Sequence, residues 1–195
     1  MSKGKHMSTS VRIVLKREVS LDDVGVVAYD QQWGITSVTR KNESPRRQAW
    51  STPSRNTSIT FLEDPYLGLR YIVVKGPEFA DVSRVIRSSL ACWTIEEALT
   101  FLMESGERDQ KIHGIYLVAA SSPTAESRTV MEALRTVSHD ADPEVRRALL
   151  VGMGYVGHWP VVRSIAESLH NNDPDEIVRR DAGFLLEGLG LPDAQ

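Results

Sequence analysis

Cysteine is almost missing from this chain of 195 residues: Cys92 stands alone, which excludes an internal disulfide and any structural zinc site built on paired thiolates. A reducing compartment fits. No apolar run approaches the roughly 20 residues needed to span a bilayer, and the N-terminus lacks the apolar core of a secretory signal. A cytoplasmic address with no membrane partner is the expectation. Also lacking are a glycine-rich phosphate loop, a His-Glu-x-x-His pair and any assembly of nucleophile, base and orienter. Gly152-Met153-Gly154-Tyr155-Val156-Gly157 fits the dinucleotide pattern formally, but it falls at a helix end with no strand before it. His113, His139, His158 and His170 have no metal spacing. Asp22-Asp23 and Glu63-Asp64 sit beside strand and turn positions, where neighbouring carboxylates point apart or cap a turn. No catalytic residue, metal or cofactor is assigned.

What is present is enough for a folded core, with 41% hydrophobic and 25% charged residues. The charge is unevenly placed. Residues 8–93 carry 12 basic against 9 acidic side chains, whereas residues 94–195 carry 9 against 17, a balance of −8. That acidic half repels phosphate backbones, so nucleic acid is a disfavoured partner. The opening residues 1–7 are basic, contain a second Met and read as an expression leader.

Val11–Val19 is rich in β-branched residues and predicts a strand, and Trp33–Arg40 a second. Residues 40–58 are polar, contain Pro45 and Pro53, and read as a long loop. Ser58–Glu63 and Leu69–Lys75, joined by Asp64-Pro65-Tyr66-Leu67-Gly68, form the clearest hairpin. After Pro77 the apolar spacing Phe79, Val82, Val85, Ile86, Leu90 changes period from two to about 3.6, which starts a helix.

The half from Thr94 repeats itself. Asp142-Pro143-Glu144-Val145-Arg146-Arg147-Ala148 returns as Asp173-Pro174-Asp175-Glu176-Ile177-Val178-Arg179-Arg180-Asp181. A weaker copy stands one period earlier, where Asp109, Ile112, Ile115 and Tyr116 align with Asp142, Val145, Ala148 and Leu149. Partner helices correspond through Glu97-Ala98-Leu99, Glu132-Ala133-Leu134 and Glu167-Ser168-Leu169. Three helix pairs are expected. Asp at the cap accepts orphan N–H groups and Pro at the first helical position has none to leave unpaired. Val145, Ala148, Leu149, Gly152 and Val156 make a seam with small residues at its centre. Gly157 and Gly190 are expected to end the second helices in left-handed conformations.

These residues resemble the short HEAT-like repeats of bacterial proteins, including the type named for phycobilisome lyases, whose second helix opens with Asp-Pro-x-Val-Arg. The resemblance covers roughly residues 94–190. Asp181 departs from it, standing where Ala148 stands one unit earlier, and pairing with an arginine of the preceding unit would account for it. The resemblance implies that the first arginine of each doublet bonds to an acidic cap of its own or a neighbouring repeat.

The expected fold is α+β: residues 8–76 a small antiparallel β domain with the long loop 40–58, residues 77–93 a linking helix, and residues 94–195 a short right-handed α-solenoid of HEAT-like helix pairs, about seven helices in all. The expected function is that of a non-catalytic adaptor or regulator binding a protein partner. A cytoplasmic switch protein such as a small GTPase is one version, by analogy with the repeat family. The alternatives are a nucleic-acid-binding HEAT-like protein and a lyase-like or chaperone-like protein acting on a bound pigment. Candidate partner-binding residues are the doublets Arg146, Arg147, Arg179 and Arg180, which would form a ladder able to grip carboxylates or phosphates. Trp50, Arg46 and Arg47 join them on the long loop, where Trp33, Arg40, Lys41 and Arg55 add to an aromatic and basic mixture of the kind that binds single strands. Phe184 completes the set. The last helix keeps Val178, Phe184, Leu185, Leu186 and Leu189 with no polar capping repeat after it, so docking or self-association is expected at that end.

Overall fold

The computed structural model describes residues 10–39, 44–157 and 159–190. The leader, Arg40, Lys41, His158, Leu191 and the tail 192–195 lie outside the described residues. The chain divides into two units, Met1–Trp93 and Thr94–Gln195.

Five strands of the first unit make one antiparallel sheet: β1 (Ser10–Val14), β2 (Gly34–Val38), β3 (Arg46–Ser51), β4 (Ser58–Asp64) and β5 (Leu69–Lys75), in the order β1-β5-β4-β3-β2. The hairpin of β4 and β5 is as expected, with Asp64 Oδ1 accepting from the N–H groups of Tyr66 and Leu67 at 3.0 and 3.1 Å to hold its turn. Two helices lie in the same unit, α1 (Leu21–Asp30) and α2 (Phe79–Ser89). Ile13, Trp50, Ile59, Phe61, Ile72 and Val74 from the sheet form its core with Val24, Val27 and Ala28 of α1 and Val82 and Ile86 of α2.

Four readings of this unit change. The strand expected over Val11–Val19 stops at Val14, because Lys16 donates its N–H to Ala91 O and the chain then turns, with Val19 N–H on Lys16 O. The stretch after it is helix, not turn: Ser20 and Asp23 form a capping box, each side chain accepting from the other's backbone N–H. The supposed loop 40–58 contains β3, an interior strand, and α2 packs into the core of this unit instead of standing between two domains.

The second unit holds α3 (Ile95–Glu104), α4 (Arg108–Ser121), α5 (Arg128–Val137), α6 (Pro143–Val156), α7 (Pro160–Asn172) and α8 (Glu176–Gly190). They pack as α3 with α4, α5 with α6 and α7 with α8, while α6 also packs on α4 and on α8. The second helices therefore form the spine. The seam is where Gly152 was expected to place it: a Cβ there would come within 3.1 Å of Ile115 Cγ2 and 3.2 Å of Ala119 Cβ on α4. This close packing is also why the formal dinucleotide pattern is no phosphate loop, since its first glycine is buried inside a helix. Gly157 ends α6 with φ of 89°, but α8 runs through Gly190 rather than stopping before it.

The helix starts follow the repeat more closely than the dipeptide suggested. Asp142 caps α6, accepting from Glu144 N–H at 2.9 Å, with Pro143 at the first helical position. One repeat later, 33 residues on, the cap is Asp175, which accepts from Ile177 and Val178 N–H at 2.8 and 3.1 Å. Asp173-Pro174 thus lies outside α8, and Asp173 corresponds to Asp140 rather than to Asp142.

Candidate partner-binding site

The repeated arginines do form a ladder, and its rungs are carboxylates of this same chain. Arg146 is buried and clasps Asp173 with two parallel bonds, Nε to Oδ2 at 2.7 Å and Nη2 to Oδ1 at 2.8 Å; the side chains are 7% and 2% exposed. Its Nη1 donates to the carbonyls of Asp140 and Ala141 at 2.7 and 3.2 Å. Asp173 Oδ1 also accepts from Asp175 N–H at 2.9 Å. Burial pushes the Asp173 pKa up, but the bonds from Arg146 and Asp175 and the charges of Arg146 and Arg179 together hold it below the usual carboxylate value.

Arg147 reaches forward in the same way, placing Nε 2.9 Å from Oδ2 of Asp181 while Nη1 holds Glu144. Asp181 also accepts from Arg180 at 2.9 Å. The departure from the repeat pattern is thereby explained: the odd carboxylate is the anchor for an arginine of the preceding unit. Between the first and second pairs the corresponding ties are Lys111 with Asp140 at 2.7 Å and Arg108 with Asp142.

Arg179 occupies the position of Arg146 one repeat on, and its Nη1 makes the same two backbone bonds, to the carbonyls of Asp173 and Pro174 at 2.7 and 3.1 Å. Among the described residues no carboxylate clasps the Nε and Nη2 edge of Arg179. Phe184 lies on the same helix, 61% exposed, with the Arg180 guanidinium 5.9 Å from its ring centroid. Leu185, Leu186 and Leu189 around it are only partly buried. On this helix it is Arg180, bonded to Asp181, that lies against Phe184, whereas Arg146 and Arg147 are engaged within the stack.

The group proposed on the long loop does not assemble. Trp50 is 2% exposed and sits in the core because β3 is an interior strand; Trp33 is also buried. Neither offers a face for stacking. Arg46 and Arg47 are exposed on β3, but alternation turns them to opposite sides of the sheet. The remaining chemistry is structural in placement. His170 Nδ1 lies 2.9 Å from Arg179 O. His113 packs edge-on to Phe101 with its pKa lowered by burial. Cys92, half-buried, has its thiol pKa raised by the same cause. No group of His, Cys, Asp and Glu able to hold a metal occurs among the described residues, and no described helix is long and apolar enough to cross a membrane.

Comparison with protein-family models, with curated proteins and with solved structures gives no match. The site is therefore read from its own geometry. What sequence reasoning missed was that Arg179 differs from Arg146, because a repeated doublet does not show which carboxylate each arginine meets.

Proposed function

We propose that this protein is a non-catalytic, cytoplasmic adaptor or regulator whose HEAT-like helical unit docks a protein partner at its C-terminal end. The observation that carries the reading is the exposed Phe184 on α8, a helix on which the Nε and Nη2 edge of Arg179 meets no carboxylate among the described residues. One repeat earlier the same arginine edge is filled by a carboxylate of the following helix pair, so α8 offers a guanidinium edge and, separately, an apolar ring to a partner. Burying an aromatic side chain of this size contributes about 2–3 kcal/mol of gross driving force, and a bidentate Arg–carboxylate pair adds direction. A switch protein such as a small GTPase is a concrete partner of the kind HEAT-like repeats take.

The test is capture from native lysate with the full chain, with and without nuclease, repeated with Arg179→Glu and Phe184→Glu. A protein partner retained after nuclease and lost with both variants supports the reading. A partner that both variants hold as well as the natural chain refutes it. Solution mass of the same proteins reports whether a second copy is what docks.

A further inference from the structure

β2 is the outer strand of its sheet. One side pairs with β3, and among the described residues no backbone group bonds to the other. All five of its residues are exposed. Open edges are ordinarily blunted by lysine, proline or an inward charge; Gly34-Ile35-Thr36-Ser37-Val38 carries none of these, only a bulge between Ile35 and Ser37. That bulge has a consequence for the side chains. Ile35 stands opposite Trp50 and Val38 opposite Gln48, and opposed residues of an antiparallel pair share a sheet face. Ile35 and Val38, three apart, therefore both stand on the face that carries Trp50 and the core.

On that face α1 presents Val26 and Tyr29, three apart along one helical stripe, and an open cleft of about 430 Å³ runs beside them, with Arg46 and Gln48 of β3 also in its lining. Val26, Tyr29, Ile35 and Val38 are each more than half exposed. Tyr66, in the turn between β4 and β5, is the one other large apolar side chain so exposed among the described residues of this unit. An apolar surface gathered in this way between a helix and an open strand edge marks an interaction site. Its charge is set by Arg46, which has no carboxylate partner among the described residues, and by Asp22, which lines the cleft from the first turn of α1.

We propose that this trough takes an extended segment of a protein partner, which adds to β2 as a further strand, turns β-branched or aromatic residues toward α1 at alternate positions, and sets a carboxylate against Arg46. The free row of N–H and C=O groups on β2 requires an extended backbone to pair it. The period of two then sends every second side chain into the trough. Arg46, on the same face as Gln48 and Trp50, is the cation that lines this cleft among the described residues and can meet the segment's carboxylate, and Asp22 disfavours a second. This surface belongs to the first unit and is independent of the Arg179 end.

A displayed library of random peptides about ten residues long, selected against the full chain, tests the idea. The expected winners alternate β-branched or aromatic residues with polar ones and carry Asp or Glu at one end. The tightest of them should protect the amides of residues 34–38 from hydrogen exchange. It should lose roughly ten-fold or more in affinity, about one factor of 1.4 kcal/mol, with Ile35→Lys, Val38→Lys or Arg46→Glu, and none with Tyr66→Lys. Selected peptides unaffected by Ile35→Lys and Val38→Lys, or protection elsewhere, would overturn the proposal. So would a library that yields no binder, or concentration-dependent doubling of mass with protection of residues 34–38 in the absence of peptide, which would make a second copy the occupant.

Discussion

Removing the carboxylate of Asp173 is the sharpest perturbation of the helical unit. Asp173→Ala deletes both rungs to Arg146 and the acceptor for Asp175 N–H, leaving a guanidinium that is 7% exposed with only its two carbonyl bonds. Breaking a buried ion pair from one side costs about 3–5 kcal/mol, because the surviving charge stays buried. Against a domain stability of about 5–15 kcal/mol, and at about 4–8 °C per kcal/mol for a unit of this size, the helical transition should fall by more than about 12 °C. Asp181→Ala is the internal standard. Its pair with Arg147 is partly solvated, 34% and 23% exposed, and should be worth about 1 kcal/mol or less. Replacing both members, Arg146→Leu with Asp173→Leu, should recover much of the loss, since no charge is then stranded. Thermal and urea unfolding of the full chain followed by circular dichroism measures all four proteins. The sign with pH is also fixed. The folded-state pKa of Asp173 is lowered, so its stabilisation is present above the unfolded value near pH 3.9 and is lost as pH falls through the folded value; Asp173→Ala should lack that part of the acid limb. An Asp173→Ala protein within about 1 kcal/mol of the natural chain, or no worse than Asp181→Ala, would refute the account.

Other outcomes follow from the same packing. Gly152→Leu should drive a side chain into Ile115 and Ala119 and cost about 1–3 kcal/mol or more, read as a lower helical transition. Trp50→Ala should destabilise the sheet unit by about 3–5 kcal/mol, since it empties a core site, and intrinsic fluorescence can follow it; an unchanged transition would return Trp50 to the surface. A fragment starting at Thr94 should show helical circular dichroism and a cooperative transition, because each pair is sustained by its neighbours.

How much of this was legible depended on whether the signal was local. The hairpin at Asp64–Gly68 and the three helix pairs were readable because turn chemistry and a recurrent cap belong to short segments. Arg147 finding Asp181 was readable for a related reason: a carboxylate in an apolar slot demands a cation nearby. The strand β3 was hidden because Arg46, Arg47 and Gln48 are polar on both faces at its start, so alternation emerges only at Ala49 and Trp50. Helix α1 carried its announcement in Ser20 and Asp23, and was overlooked because the β-branched residues before it suggested a longer strand. The offset between Asp142-Pro143 and Asp173-Pro174 misled by identity: matching the dipeptide gave one register, and the shift of Val145 to Val178 gives the one that the caps obey. Which arginines were engaged could not be read from doublets, since the answer lies in partners 27 and 34 residues away.

Among the described residues the ion pairs between successive helix pairs run one way. Lys111 and Arg108 reach forward to Asp140 and Asp142, and Arg146 and Arg147 reach forward to Asp173 and Asp181. Each of these pairs is thus latched by the one after it, while among the described residues α7 and α8 make no forward ion pair of this kind. In a quasi-one-dimensional array this makes a polarity of opening: α7 and α8 should exchange their amide hydrogens soonest and α4 latest. A molecule that set a carboxylate against Arg179 would supply such a forward tie, so its arrival should be felt as slowed exchange in α8 and, through Arg146, in α6. Occupancy of one end would then be written along the spine as a change in the rate at which it breathes.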